Sequence, residues 1–253
     1  MTHTASRLTG AVPADKIKST DIPRHPDGFA TRLLAIPDVS SAVADVLDQL
    51  DVGFAAGTDA ARPLRPGSRC AGPAVTVRYQ PSPLSVTQNR TQGTAVIFGD
   101  RDVYGLGQPG DIAVMDCAGD RAGAVMGALS ARWAAKAGIG GVIVDGAVRD
   151  TASIIAGAVP VFSASRYPAA ARYRYDLVEL NGPVTVFGHR VQPGDYLVAD
   201  DDGVCVIPFA HVARIVETCE AADRAERAFI TRIEAATTLE HLVASLQPGS
   251  APA

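Results

Sequence analysis

The chain has 253 residues, 47% of them hydrophobic and 20% charged, with a formal net charge of -4. That balance describes a globular protein with an ample core. It argues against a nucleic-acid or anionic-membrane surface, because no basic cluster exceeds pairs such as Arg172 with Arg174. No apolar run approaches the roughly 20 residues that a membrane helix needs. The four cysteines (Cys70, Cys117, Cys205, Cys219) stand far apart without a Cys-x-x-Cys spacing, and read as reduced thiols.

Met1–Gly28 is polar and broken by Pro13, Pro23 and Pro26. It lacks the apolar centre of a signal peptide, so a cytoplasmic protein is expected. This stretch reads as an N-terminal arm, either disordered or draped over a neighbouring subunit. A single domain is expected over 29–246, followed by a flexible tail over 247–253. Helical patterns cover Phe29–Ile36 and a segment capped near Ser40 that carries Val43, Val46, Leu47 and Leu50. Ala74–Tyr79 reads as a strand, and Thr94–Phe98 as another. Gly105, Gly107, Pro109 and Gly110 predict a mobile loop.

A β-α-β-α-β series follows. Asp111–Asp116 is a strand, and Ala118-Gly119-Asp120 a turn. A helix ends at Ala137 with Gly138 as its cap; its stripe is Ala122, Val125, Met126, Leu129 and Trp133, with Trp133 expected in the core. Gly123 and Gly127 each weaken its early turns by about 1 kcal/mol, which places the ordered start near Gly127. The run Gly141–Val144 closed by Asp145-Gly146 reads as a buried parallel strand ending in a turn. A short helix over Asp150–Ala156 and a strand over Val159–Phe162 complete the unit. Residues 183–207 predict a small antiparallel layer with turns at Gly188-His189, Pro193-Gly194-Asp195 and Asp200–Gly203. A long helix follows from about Pro208 past Ile233, of a kind that often packs on another subunit. A helical segment over Leu239–Leu246 is last.

In parallel α/β sheets, ligands bind beyond the carboxyl ends of the strands. Strand order places Asp116–Asp120 and Arg149–Asp150 there, facing one crevice, with the helix start near Gly127 offering free N–H groups to an anion. Arg149 suits bidentate carboxylate binding. Asp150 suits a metal, although an aspartate there equally suits a cap for the helix that follows. Asp116 and Asp120 read first as turn formers. Asp200-Asp201-Asp202-Gly203 lacks the spacing of a calcium loop and reads as a hairpin turn. The histidines are dispersed, and no glycine series matches a dinucleotide fingerprint.

An ordered series of motifs resembles the RraA-like family, which includes the class II 4-hydroxy-4-methyl-2-oxoglutarate aldolases. It runs through Pro66-Gly67, Ala71–Thr76, Pro109-Gly110-Asp111, Asp116 and Asp145-Gly146-Ala147-Val148-Arg149-Asp150. It continues with Pro160-Val161-Phe162, Val191–Asp195 and Ala199–Val204, ending at Pro208. The resemblance covers roughly residues 40–235. It implies an α/β swivelling β/β/α fold like that of phosphohistidine domains, assembled as homotrimers or homohexamers with sites between subunits. It implies a divalent metal, Mg2+ or Mn2+, and cleavage of a small 4-hydroxy-2-oxo acid or oxaloacetate to give pyruvate.

By that resemblance, Asp150 is the metal ligand and Arg149 holds the pyruvyl group. The backbone of Gly127, Ala128 and Leu129 binds the substrate carboxylate, and Glu226 reaches a neighbour's metal through water. The family's aldolases often carry acidic residues where this chain has Ala128 and Ser153. That difference favours the alternative, a non-catalytic binding protein of the ribonuclease-regulator type; the Arg149-Asp150 pair favours a lyase. The chain's lysines, Lys16, Lys18 and Lys136, stand at no predicted strand end, which argues against Schiff-base chemistry.

Overall fold

A computed structural model describes residues 7–26 and 28–246. The elements run α1 (Phe29–Leu34), α2 (Val39–Leu50), β1 (Phe54–Gly57), β2 (Arg62–Pro63), β3 (Cys70–Pro81), α3 (Val86–Thr91) and α4 (Asp100–Leu106). Next come β4 (Ile112–Asp116), β5 (Ala124–Met126), α5 (Ala128–Ala137), β6 (Gly141–Val148), α6 (Thr151–Ile155) and β7 (Val161–Arg166). The chain closes with β8 (Tyr175–Leu180), β9 (Val184–Val186), β10 (His189–Val191), β11 (Tyr196–Asp200), β12 (Gly203–Ile207), α7 (Val212–Ala235) and α8 (Leu239–Ser245).

The main sheet has the order β1-β12-β11-β3-β4-β6-β7-β2, with β8 beside β3 and β5 beside β6. Its centre, β3-β4-β6-β7, is parallel, as the β-α-β-α-β pattern predicts, and the strands flanking it are antiparallel. β4 and β6 are buried along their whole length, which explains why they read as continuous apolar runs. β3 is the long strand that joins the two halves. Its start pairs with β11 and its end with β8, on the edge opposite β4. The expected antiparallel layer is therefore divided: β9 and β10 form their own ribbon, while β11, β12 and β1 extend the main sheet. Asp200 pairs with Gly203 across the predicted hairpin turn.

One apolar core, containing Tyr104, Met115, Met126 and Val144, lies where α4 and α5 cover the parallel strands. Another packs α1, α2 and α7 against β11 and β12 through Leu33, Val43, Ile207 and Ile215. Arm residues 7–26 lie against their own chain. Arg24 makes a bidentate pair with Asp111 at 2.5 and 2.7 Å, and Asp102 accepts the Thr9 and Val12 amides. The tail call over 247–253, and that part of the arm call over residues 1–6 and 27, lie outside the described residues. No helix among the described residues is long and apolar enough to cross a membrane.

Several local expectations are corrected. Thr94–Phe98 is not a strand: both edges of the nearby end of β3 are taken by β4 and β8. The glycine-rich segment before Pro109 is not a loop throughout, because Val103, Tyr104 and Leu106 are buried and hold α4 in place. Residues 124–126 form β5 rather than early helix; Ala124 and Met126 pair with Ala147 and Val148. β6 does not turn at Asp145-Gly146 but runs on to Val148. Gly146 is required there by close packing, since a Cβ would stand 2.6 Å from Cys117 Sγ. Trp133 is 42% exposed, with the Arg101 guanidinium 5.4 Å from its ring centroid, and is not core.

Candidate active site at the ends of β5 and β6

The longer course of β6 decides what the site contains. β5 runs parallel beside its second half, so both strands deliver their next residues to one place. Arg149 N–H donates to Met126 O at 3.0 Å and ties the two ends together. Beyond β5 stands Gly127, which opens α5 without a side-chain cap; beyond β6 stand Arg149 and Asp150.

Asp150 has φ +56°, a left-handed conformation that aspartate tolerates better than most residues. Its side chain makes no cap bond to α6, the helix that follows it. Instead Oδ2 accepts the Ala128 N–H, the first of α5, at 3.1 Å. Arg149 Nε lies 3.9 Å from the same oxygen, and both side chains are nearly half exposed. A pair this open contributes little stability. A Cβ on Gly127 would lie 2.8 Å from Asp150 Oδ2 and 3.3 Å from Arg149 Cγ, so only glycine lets these side chains sit over the helix start. The structure thus brings together Gly127, Ala128, Arg149 and Asp150, with the exposed Leu129 next on the first turn.

Glu226 is not brought to Asp150 within the chain. It lies on α7, bordering an 800 Å³ groove against α2 that also takes in Asp45, Asp202 and Asp223. Among the described residues, no three His, Cys, Asp or Glu side chains cluster to hold a metal.

Asp116 and Asp145 occupy a separate cavity of 490 Å³, whose lining includes neither Arg149 nor Asp150. Asp116 and the Arg149-Asp150 pair therefore do not share the single crevice expected from strand order. Asp116 Oδ2 accepts Thr185 N–H and Asp145 Oδ2 accepts Phe187 N–H, both at 2.9 Å. These carboxylates staple the ribbon of β9 to the sheet. Burial pushes the Asp145 carboxyl up against the bond from Phe187 N–H, and the neighbouring Asp116 adds to the rise. Asp120 accepts from Tyr175 OH and from Ala122 N–H, as a turn former would. A buried group missed in the sequence lies behind α5: Asp100, Tyr104 and Ser130. The only sequence signal for Asp100 was an acidic residue after Gly99, which reads as a turn.

A family model described as RraA-like, Aldolase/RraA, matches residues 41–206. The chain belongs to the RraA-like family. A Halalkalibacterium halodurans relative, provisionally named 4-hydroxy-4-methyl-2-oxoglutarate aldolase, is 31% identical over 181 residues, covering 71% of this chain and 76% of that protein. Protein DlpA of Legionella pneumophila is 32% identical over 199 residues, 78% of this chain; the chain spans only 31% of its length. Among solved structures, a Pseudomonas syringae protein has a TM-score of 0.71 at 27% identity, covering 89% of this chain and 97% of that one. Streptomyces coelicolor RraAS2, described as an unusual member of the RNase ES inhibitor RraA family, has a TM-score of 0.66 at 24% identity, covering 81% and 97%. The RraA-like fold is thus that of a mixed α/β protein with a long C-terminal helix. Within this family, the lyase name and the inhibitor description both occur.

Proposed function

We propose that the protein is a divalent-metal-dependent lyase that cleaves a small 4-hydroxy-2-oxo acid, or decarboxylates oxaloacetate, to release pyruvate. The observation that carries this reading is the contact of Asp150 Oδ2 with the Ala128 N–H beside Arg149, which joins a carboxylate, a guanidinium and a helix start in one place. The fold we assign is the swivelling β/β/α type, with residues 29–246 acting as one unit.

The residues present fit a hard divalent ion. Asp150 is half exposed, and a single carboxylate completed by waters is the ligand pattern that magnesium favours. Asp150 would hold Mg2+ or Mn2+, with Glu226 of a second copy reaching it through water in a homotrimer or homohexamer. When bound, such an ion supplies Lewis-acid charge to the 2-oxo and carboxylate oxygens of the substrate. The amides of Ala128 and Leu129 receive the substrate carboxylate, aided by the positive end of α5. Arg149 places fixed positive charge where the enolate oxygen develops. Ala128 and Ser153 have no carboxyl, so neither takes up a proton.

The test is pyruvate release from oxaloacetate and a panel of 4-hydroxy-2-oxo acids, with Mg2+ or with EDTA. Metal-dependent release that falls at least tenfold in Asp150→Asn is expected, since even the outer partners of a metal site are worth about that much. No release from any of these acids would favour the non-catalytic regulator reading, for which the missing acids at Ala128 and Ser153 speak.

A further inference from the structure

The proposed reaction leaves the 490 Å³ cavity of Asp116 and Asp145 without a use. Sheet register sets four charged residues in one row there. Glu179 on β8 stands opposite Arg78 on β3, Arg78 beside Asp116 on β4, and Asp116 beside Asp145 on β6. Residues in register project to one face of a sheet. Arg78, Asp116 and Asp145 accordingly all line the cavity, and Tyr79, Val178 and Thr185 supply further walls. The signs along the row run negative, positive, negative, negative.

The two neighbouring carboxylates in that row have no cation between them. Arg78 makes no ion pair with Asp116; its Nη2 meets Glu179 Oε1 at 3.0 Å, and Lys18 Nζ stands 3.7 Å from Glu179 Oε2. Three carboxylates thus face two cations. Arg121 acts on Asp145 from further off and makes no ion pair with it. Stapling β9 does not account for the excess charge, because the oxygen of a neutral amide would also accept the Thr185 and Phe187 N–H groups. Asp145 is only 7% exposed, and Phe187 N–H engages its Oδ2 alone; Oδ1 has no partner among the described residues. Burial, reinforced by Asp116, pushes the Asp145 carboxyl up. A charge kept at such a cost, in a cavity, is the mark of a binding site.

We propose that this cavity binds a small molecule carrying a primary ammonium group, seated between Asp116 and Asp145. The positive charge completes the row. An ammonium has three N–H donors. One meets Asp145 Oδ1. Both oxygens of Asp116 already accept backbone amides, from Ala118 at 2.7 Å and Thr185 at 2.9 Å, but each keeps a lone pair for a further donor. A hydrated metal suits this place less well than it suits the half-exposed Asp150. Magnesium sheds its waters reluctantly, and here the carboxylate is buried beside Tyr79 and Val178, whose carbon surface matches an organic body. The site is separate from Arg149 and Asp150 and does not depend on the reaction assigned to them.

The test titrates the full chain at neutral pH with ethylamine, butylamine and ethanolamine, following the NMR signals of the Thr185 and Phe187 amides and the melting temperature. Tetramethylammonium, which carries the charge without N–H donors, and Mg2+ are the comparison cations. Both amide signals should move saturably with a primary amine, and the protein should melt higher as the amine binds. Asp145→Asn should bind that amine about tenfold more weakly, through loss of a charge-assisted hydrogen bond. Asp116→Asn removes the other carboxylate and decides the matter if Asp145→Asn does not fold. Amide signals that no amine moves overturn the proposal, and so does equal affinity in wild type and the folded variants. Tetramethylammonium or Mg2+ binding there as tightly as the amines overturns it too, since the cavity would then select charge alone or a metal.

Discussion

Asp150 Oδ2 accepts the Ala128 N–H at 3.1 Å, so the carboxylate proposed to hold a metal covers the amide proposed to hold the substrate. Both cannot use that amide at once. An ion that draws Asp150 away frees the helix start for an organic anion. The two ligands are then coupled, and coupling is reciprocal. Pyruvate should bind about tenfold more tightly with Mg2+ than with EDTA, and pyruvate should tighten Mg2+ by the same factor. Titration calorimetry in both orders checks this; equal affinities would show that the contact does not gate the site.

Gly127 separates the two partners. Because its Cβ would meet Asp150 Oδ2 at 2.8 Å and Arg149 Cγ at 3.3 Å, Gly127→Ala should push both side chains off the helix start. Its φ is -147°, so alanine meets no backbone penalty. Turnover should fall about 100-fold, as a displacement near 1 Å can do, while the melting temperature changes little. Activity retained within twofold would argue that Arg149 and Asp150 are not held by this cradle.

Asp145 gives a pH prediction of definite sign. Its carboxyl is raised in the folded state by burial first, opposed by Phe187 N–H and reinforced by Asp116. A raised group contributes stability below its unfolded value, near 3.9, and loses that contribution as pH climbs through the folded value. At neutral pH the ionised Asp145 is thus a liability. Asparagine keeps an oxygen for Phe187 N–H without the charge. Asp145→Asn should melt higher than wild type at pH 7, with the gain shrinking toward pH 4. A variant that melts lower at pH 7 would contradict this.

The arm is testable through Arg24. Asp111 is almost fully buried and meets Arg24 in a bidentate pair, with Gln108 N–H as a further donor at 2.7 Å. Arg24→Ala leaves that carboxylate short of its countercharge. A loss of about 3 kcal/mol is expected, the low end for breaking a buried pair because the amide remains. Denaturant unfolding measures it, and faster proteolysis within residues 7–26 should accompany it.

Much of this was legible in residue order. Alternating apolar strands and helices announced the parallel centre, and the Arg149-Asp150 pair at a strand end announced the candidate site together with Gly127. What was not legible came from pairing. Asp145-Gly146 has the letters of a turn, yet Cys117 packs where a Cβ would be and β5 supplies a partner, so the strand continues. Trp133 falls on an apolar stripe whose outer edge the fold leaves open. Asp100 reads as turn chemistry until α4 is laid against α5.

Local chemistry, carried by the order of residues along the chain, was enough to name the α/β class, the family resemblance and the two charged side chains at the rim. Those properties depend on periodicity and on neighbours in sequence. Which helix Asp150 caps, which carboxylates share a cavity, and what grips α5 from behind depend on residues 20 or more positions apart meeting at hydrogen-bond distance. Only chain packing brings such partners together, because a short-range pattern carries no record of the strand or helix that will lie alongside it.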